Sequence, residues 1–397
     1  MCLKNPGPSW EICKSFIFLF YRLLDRLAAI IFMEMKVTRK VDWTNQDLNE
    51  RENKRKELEL FFPETPIIDP HHHLFPLRTN GTTEVFIASF GKPPIGKWLR
   101  DDFNIDREGV NIVASVYVEA HVNYDTSLPT HLAPVGETNF IQSVYEQNPS
   151  SQICKGIVIS LNLSLPVDKI DEAISAHKKV LENSGCVLSG VRLQIASKDG
   201  YFSPSPKNFA KKCVVGAQRM AFYGLPIDVW LYYHQVDELI ELAQLCPETF
   251  FICDHIATPI GGKQVFDVWL GMMLKLSKVP NVYVKLGGLG MKMCSFTKDE
   301  PLLSHEIINL FLPWFITCFE LFGEDRVFFE SNFPMDKVSF SYRSFWNACK
   351  KMAGLFSPSP QVRRKLLFEN ANSVYHLNLS LPDLKFYEFP RLYQSSL

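Results

Sequence analysis

A (β/α)8 barrel is the fold class that the sequence predicts, and three observations predict it. From residue 65 onward, short apolar β-branched runs alternate with longer stretches of helical periodicity, and eight such runs fall within about 310 residues. Many runs are apolar on both faces, which suits strands covered by helices outside and closed around a core within. Polar and ionisable residues end nearly every run on one side, where barrel enzymes carry their sites. An open doubly wound sheet is the competing α/β solution. No glycine-rich phosphate loop follows the first strand, which weighs against it.

Residues 14–33 (KSFIFLFYRLLDRLAAIIFM) are the one candidate for a targeting or membrane segment. Arg22, Asp25 and Arg26 interrupt the run, which argues against a spanning helix of about 20 apolar residues. A clean signal-peptide core with a small-residue cleavage site is not evident. An amphipathic helix packed on the body, or lying on a membrane surface, suits the pattern better. Residues 36–60 turn strongly charged and read as a solvated linker or helix. Residues 1–62 are therefore expected to be a helical or irregular leader appended to a barrel domain of residues 63–397.

Within that domain the strands are expected at 66–70, 112–120, 153–163, 187–195, 225–233, 249–255, 281–289 and 326–333. Helices are expected at 167–183, 207–223, 235–245, 263–278 and 304–322. The stretches 77–102 and 123–138 are long enough to cover a pocket and read as loops.

Composition bounds the function. The 397 residues are 46% hydrophobic and 21% charged with a net charge of −1, so the chain is an ordinary globular protein. That balance carries no electrostatic footprint for nucleic acid. The expected partner is a small-molecule substrate, and a homo-oligomer is left open. Ten cysteines are scattered without a Cys-x-x-Cys pair, several inside apolar runs. They read as reduced and structural, implying a cytoplasmic compartment.

The first strand ends in Ile67-Ile68-Asp69-Pro70-His71-His72-His73. Side chains alternate along a strand, so Asp69, His71 and His73 are expected on one face and His72 on the other. Two imidazoles at i and i+2 can converge on a metal ion or on a reacting carbonyl. The other strand ends supply Glu119 and His121, Arg192 and Gln194, Asp228 with His234, Asp254-His255, Lys285, and Glu330-Ser331-Asn332. Each has a purely structural reading: an Arg192 ion pair with Glu119 or Asp228, an Asp254 helix cap, a snorkelling Lys285. Together they resemble a catalytic face.

Several short motifs share one pattern. They are Asp-Pro-His-His-His-Leu-Phe at 69–75, Tyr-Val-Glu-Ala at 117–120, Gly-Val-Arg at 190–192 and Asp-His at 254–255. Val-Lys-Leu-Gly-Gly-Leu at 284–289, Phe-Glu-Ser-Asn-Phe-Pro at 329–334 and Glu-Asn-Ala-Asn-Ser-Val-Tyr at 369–375 continue it. In order and spacing, from about Pro66 to Leu377, the chain resembles the amidohydrolase-related TIM-barrel hydrolases, in the branch of sugar lactonases and the dicarboxypyrone lactonase.

The resemblance implies a hydrolase that opens a lactone with an activated water. It implies catalytic roles for His71, His73 and His255 and a substrate contact from Arg192; by their place at the strand ends, Glu119 and Asn332 join the catalytic candidates, and Asp228 and Lys285 the substrate-binding ones. It implies that His71 and His73 either bind one divalent metal, zinc or manganese, or polarise the substrate carbonyl directly in a site that works without metal. One departure bears on that metal. The wider superfamily carries Asp at the end of strand 8, as ligand and general base, and this chain carries Asn332. Asn is neutral and takes no proton at pH 7. The base then comes from elsewhere, with Glu330, Glu119, Asp228 and His255 as candidates. A decarboxylase of the same fold and a catalytically silent ligand-binding barrel are the alternatives.

Overall fold

A computed structural model describes residues 45–76, 97–196 and 209–380. The leader segment 14–33 lies outside the described residues. All eight expected strands form: β1 Ile67–His72, β2 Ile112–Val118, β3 Gly156–Ser160, β4 Val187–Gln194, β5 Ile227–Trp230, β6 Phe251–Cys253, β7 Val282–Leu286 and β8 Val327–Phe329. They are parallel and ordered β1 to β8 in one sheet. The sheet closes where the chain beyond β8 meets β1. His73 N donates to Phe333 O at 2.8 Å, and Asn332 N donates to His71 O at 2.9 Å. The protein is thus a (β/α)8 barrel.

The longer helices alternate with the strands, with one before β1 and one after β8. In chain order they are α1 Asn45–Lys54, α2 Arg100–Asp106, α3 Val135–Glu146, α4 Val167–Leu181, α5 Phe209–Tyr223, α6 Val236–Leu245, α7 Phe266–Leu276, α8 Ser304–Phe322 and α9 Tyr342–Phe356. α8 is apolar and long enough to cross a membrane by composition. In the fold it is a core helix: Phe311, Trp314, Phe315 and Cys318 are buried, with Trp314 against Trp269 and Phe296. It starts where Glu306 accepts from Leu303 N at 3.0 Å and stops at Gly323, whose φ of 80° lies in the left-handed region. α2 and α3 lie partly in stretches expected as loops.

The charged stretch before the barrel is not a free linker. In α1 Leu48 is buried, and Arg51 donates to the carbonyls of Lys298, Asp299 and Val338. Arg55 pairs with Glu306 at 2.9 Å, and Glu57 accepts from Ser304 N at 2.8 Å. One apolar side chain and two guanidiniums therefore lay this segment against the loops after β7 and β8.

Burial gives the fold an acid limit. His177 on α4 is fully buried, with Nδ1 at 2.7 Å from Thr138 Oγ1 and Nε2 without a partner among the described residues. Burial pushes its pKa down from 6.5 to about 4. The neutral form is the one that fits, so no stability is lost above pH 6.5. Below that the unfolded chain takes up a proton that the folded chain refuses until about pH 4. The expected loss over this window is roughly 3 kcal/mol. Denaturant midpoints should fall less steeply from pH 7 to pH 4 in His177→Gln than in wild type. Parallel curves would refute the assignment.

Candidate active site

The site is built outward from β1. His71 and His73 point into the barrel, and His72 points to the helix layer. There His72 stacks on Phe103 at 4.6 Å and its Nε2 meets Ser115 Oγ at 2.9 Å. Asp69 departs from the expected alternation. Its carboxylate accepts from Ser331 Oγ at 2.6 Å and Tyr342 Oη at 2.8 Å, at the β1–β8 seam. The β1–β2 register shifts between Asp69 and His72, and this breaks the parity that would have set Asp69 beside the imidazoles.

His71 Nε2 and His73 Nε2 lie 3.2 Å apart. His73 Nδ1 is fixed by Val118 O at 2.8 Å, which leaves its Nε2 as the lone-pair nitrogen. Glu330 links the other two rings. One oxygen lies 2.6 Å from His255 Nδ1 and the other 2.9 Å from His71 Nδ1. Burial alone would raise the Glu330 carboxyl, but His255 and His71 outweigh it and hold it well below the carboxylate range. Burial, with Lys285 nearby, keeps His71 neutral, and burial does the same for His73.

His255 is aimed by an unusual backbone. His255, Ile256, Ala257 and Thr258 all have positive φ, at 56°, 49°, 59° and 34°. Left-handed conformation costs L-residues roughly 1–2 kcal/mol each. Here it is held by Trp269 Nε1 donating to Ile256 O at 2.7 Å and His255 N donating to Glu330 at 3.1 Å. Gly288 makes room for the ring, since a Cβ there would lie 2.4 Å from His255 Cβ.

Below the imidazoles lies a charged layer. Lys285 Nζ is 2.7 Å from Asp228, 3.2 Å from Asp254 and 2.9 Å from His71 Nδ1, with all four side chains fully buried. Burial raises the Asp228 carboxyl to about 7 against the pull of Lys285. Burial would raise Asp254 too, but Lys285, His71 and Arg192 hold it well below its ordinary value. Asp228 and Lys285 were expected to touch substrate. They lie instead beneath the pocket wall, because their strand positions face the barrel axis one layer down.

The pocket, roughly 440 Å³ with its open mouth, is lined by His73, His255, Asn332, Arg192, Gln194 and His121 on its polar side. Phe75, Ala120, Trp230, Met291 and Met335 make the apolar side. Arg192 is held by Asp254 at 3.3 Å and donates to Glu119 O at 3.3 Å, over the Trp230 ring. Glu119 is bonded to Gln194 and lies 3.6 Å from His121 Nε2. Asn332 donates to Asp336 Oδ1 at 2.8 Å. His234 is exposed in a turn after β5 and takes no part. Asp336 and the Trp230–Met291–Met335 wall carried no signal in the sequence.

The donor set can be tested against a metal. Zinc–imidazole bonds of about 2.0–2.1 Å place two ligand nitrogens of a tetrahedral ion roughly 3.3 Å apart. The 3.2 Å between the two Nε2 atoms matches this, so His71 and His73 fit one divalent ion. Two further groups of donors bring His71 together with Asp228 and Asp254, and with His255 and Glu330. The first is filled by the Lys285 ammonium and the second is knit by hydrogen bonds.

A family model described as amidohydrolase matches residues 165–377. The uncharacterized protein y4mH of Sinorhizobium fredii is 30% identical over 317 residues, spanning 78% of this chain and 98% of that protein. L-rhamnono-gamma-lactonase of Scheffersomyces stipitis is 23% identical over 158 residues, 36% of this chain and 45% of that enzyme. Among solved structures, an amidohydrolase from Burkholderia multivorans with bound zinc superposes with a TM-score of 0.61 at 17% identity, covering 79% of this chain and 99% of that one. A Pseudomonas putida protein assigned as a 2-pyrone-4,6-dicarboxylic acid hydrolase gives 0.52 at 18%, covering 81% and 100%. The structural likenesses are likenesses of fold.

Proposed function

The chain belongs to the amidohydrolase family, and on that footing we propose that it opens a cyclic ester, a lactone, with water. The observation that carries this reading is the set of three imidazoles, His71, His73 and His255. Their Nδ1 atoms are all engaged, and His73 and His255 line the pocket. Such anchoring presents the Nε2 atoms to a ligand or a proton. Similarity to a rhamnono-lactonase supports the choice of ester.

His255 is the general base of this proposal. Of the four candidates, Glu330 has both oxygens on imidazoles, Asp228 is sealed under Lys285, and Glu119 is bonded to Gln194. His255 Nε2 takes a proton from water as the water oxygen bonds to the lactone carbonyl carbon. Glu330 steadies the imidazolium that results, as the buried carboxylate of a Ser-His-Asp triad does behind its histidine. When the ring C–O bond breaks, the same proton passes to the departing alkoxide and a hydroxy acid is released. Arg192 and Asn332 offer N–H donors at the polar wall, where charge develops on oxygen. The Phe75–Trp230 side takes the apolar face of the ring. A divalent ion on His71 and His73 would supply Lewis acidity for the carbonyl and for water.

The test is acid release at constant pH from a panel of five- and six-membered lactones. Wild type is expected to consume at least one, and His255→Asn to be slower by about 10²–10⁴-fold. Carbon dioxide evolved from a carboxylate substrate with every lactone left intact would replace this reading with decarboxylation. Binding without turnover of either would make the barrel a silent one.

A further inference from the structure

The deepest cluster in the barrel has the makings of a metal site and holds a side chain instead. His71 Nδ1 and one oxygen each of Asp228 and Asp254 lie within 4.8 Å of one another, all on fully buried residues. That span suits donors around one ion with bonds of about 2.0–2.2 Å. At its centre stands Lys285 Nζ, with Asp228 at 2.7 Å, His71 Nδ1 at 2.9 Å and Asp254 at 3.2 Å. Glu330 adds a third carboxylate at 3.8 Å, and the Tyr375 ring covers the cluster at 5.4 Å. Tyr375 Oη also donates to both Asp228 oxygens at 3.0 Å.

We propose that Lys285 is a resident cation standing in the place of a metal ion, and that it confines any exchangeable metal to the single His71–His73 seat. The argument is one of charge. Buried carboxyl groups converging on one point call for a positive charge there, because an uncompensated buried charge is strongly destabilising. A covalently attached ammonium meets that need at every metal concentration. It also blocks a second ion next to the first. Lys285 is thus a positioning residue. It touches His71 from the side opposite the Nε2 that faces His73. This inference concerns metal capacity and stands apart from the lactone reading.

The experiment is cobalt loading followed by gel filtration and elemental analysis, with cobalt visible absorption as a second readout. Wild type is expected to retain no more than about one tightly held cobalt per chain, lost in His71→Ala/His73→Ala. Lys285→Ala empties the cradle and is expected to retain one cobalt more than wild type, with new absorption bands; His71 then gives up its Nδ1 proton to solvent and bridges the two ions as an imidazolate, since a neutral ring has one lone pair. Lys285→Met removes the charge but fills the space, and is expected to gain none. Asp228→Asn in the Lys285→Ala background should abolish the gain. A second tight cobalt in wild type, whatever the variants do, overturns the proposal. So does a folded Lys285→Ala that takes up no more cobalt than wild type. Should Lys285→Ala fold only with cobalt present, a cobalt-dependent rise in its Tm that Lys285→Met lacks supports the proposal.

Discussion

His73→Ala is expected to lower kcat/KM by at least about 10³-fold while the barrel stays folded. The ring has one anchored nitrogen, on Val118 O, and one nitrogen 3.2 Å from His71 Nε2. Removing it takes away half of the paired donor set and a wall of the pocket. Groups acting in proton transfer or charge stabilisation at a reacting carbonyl typically contribute 10²–10⁴-fold. The structural loss is a packed ring and one hydrogen bond to a backbone carbonyl, about 1–3 kcal/mol of stability. Steady-state kinetics and a denaturant melt on the same preparation separate the two. Activity within tenfold of wild type would remove His73 from the mechanism.

Glu330→Gln is expected to cut kcat by about 10²-fold or more with a smaller change in KM. Glu330 serves two donors at once, His255 Nδ1 at 2.6 Å and His71 Nδ1 at 2.9 Å. A glutamine keeps the shape but offers one accepting oxygen and one donating nitrogen. One imidazole then keeps its acceptor and the other faces a donor, so a ring must change tautomer or turn away. The imidazolium formed during turnover also loses its counter-charge. The accompanying stability loss is about 2 kcal/mol, the scale of a hydrogen bond to a charged group. The split between kcat and KM is the diagnostic: a purely structural Glu330 would move neither parameter at temperatures well below Tm.

Which parts of this were legible in the sequence follows from physics. Buried parallel strands demand unbroken runs such as Ile112–Val118 and Val282–Leu286, and those runs stand out. His71 and His73 were legible for the same reason, since i and i+2 share a face. Asp69 was not, because a register shift intervenes that no local pattern announces. The depth of Asp228 and Lys285 was hidden as well. Alternation tells which way a side chain points but not at which level of the barrel it ends. Glu330 could be named among several bases, but its contact with two rings at once depends on the left-handed turn at 255–258. Only the first turn of α3, with Gly136, falls in the stretch 123–138 that read as a pocket-covering loop. The glycine is there for contact rather than for breaking: a Cβ on it would lie 2.3 Å from Asn123 O.

The seam between β1 and the chain after β8 bears on how this barrel can be altered. Its fastening is short: His71 O to Asn332 N, His73 N to Phe333 O, and Asp69 to Ser331. Those residues flank or carry the imidazole pair and the pocket's Asn332. The same few peptide units therefore act as the clasp of the cylinder and as the frame of the chemistry. Redesign or drift toward a new substrate has little freedom there, because a change that reshapes the frame also loosens the clasp. The freedom lies away from the seam, at Ala120 and Met291, whose side chains line the pocket without fastening the barrel.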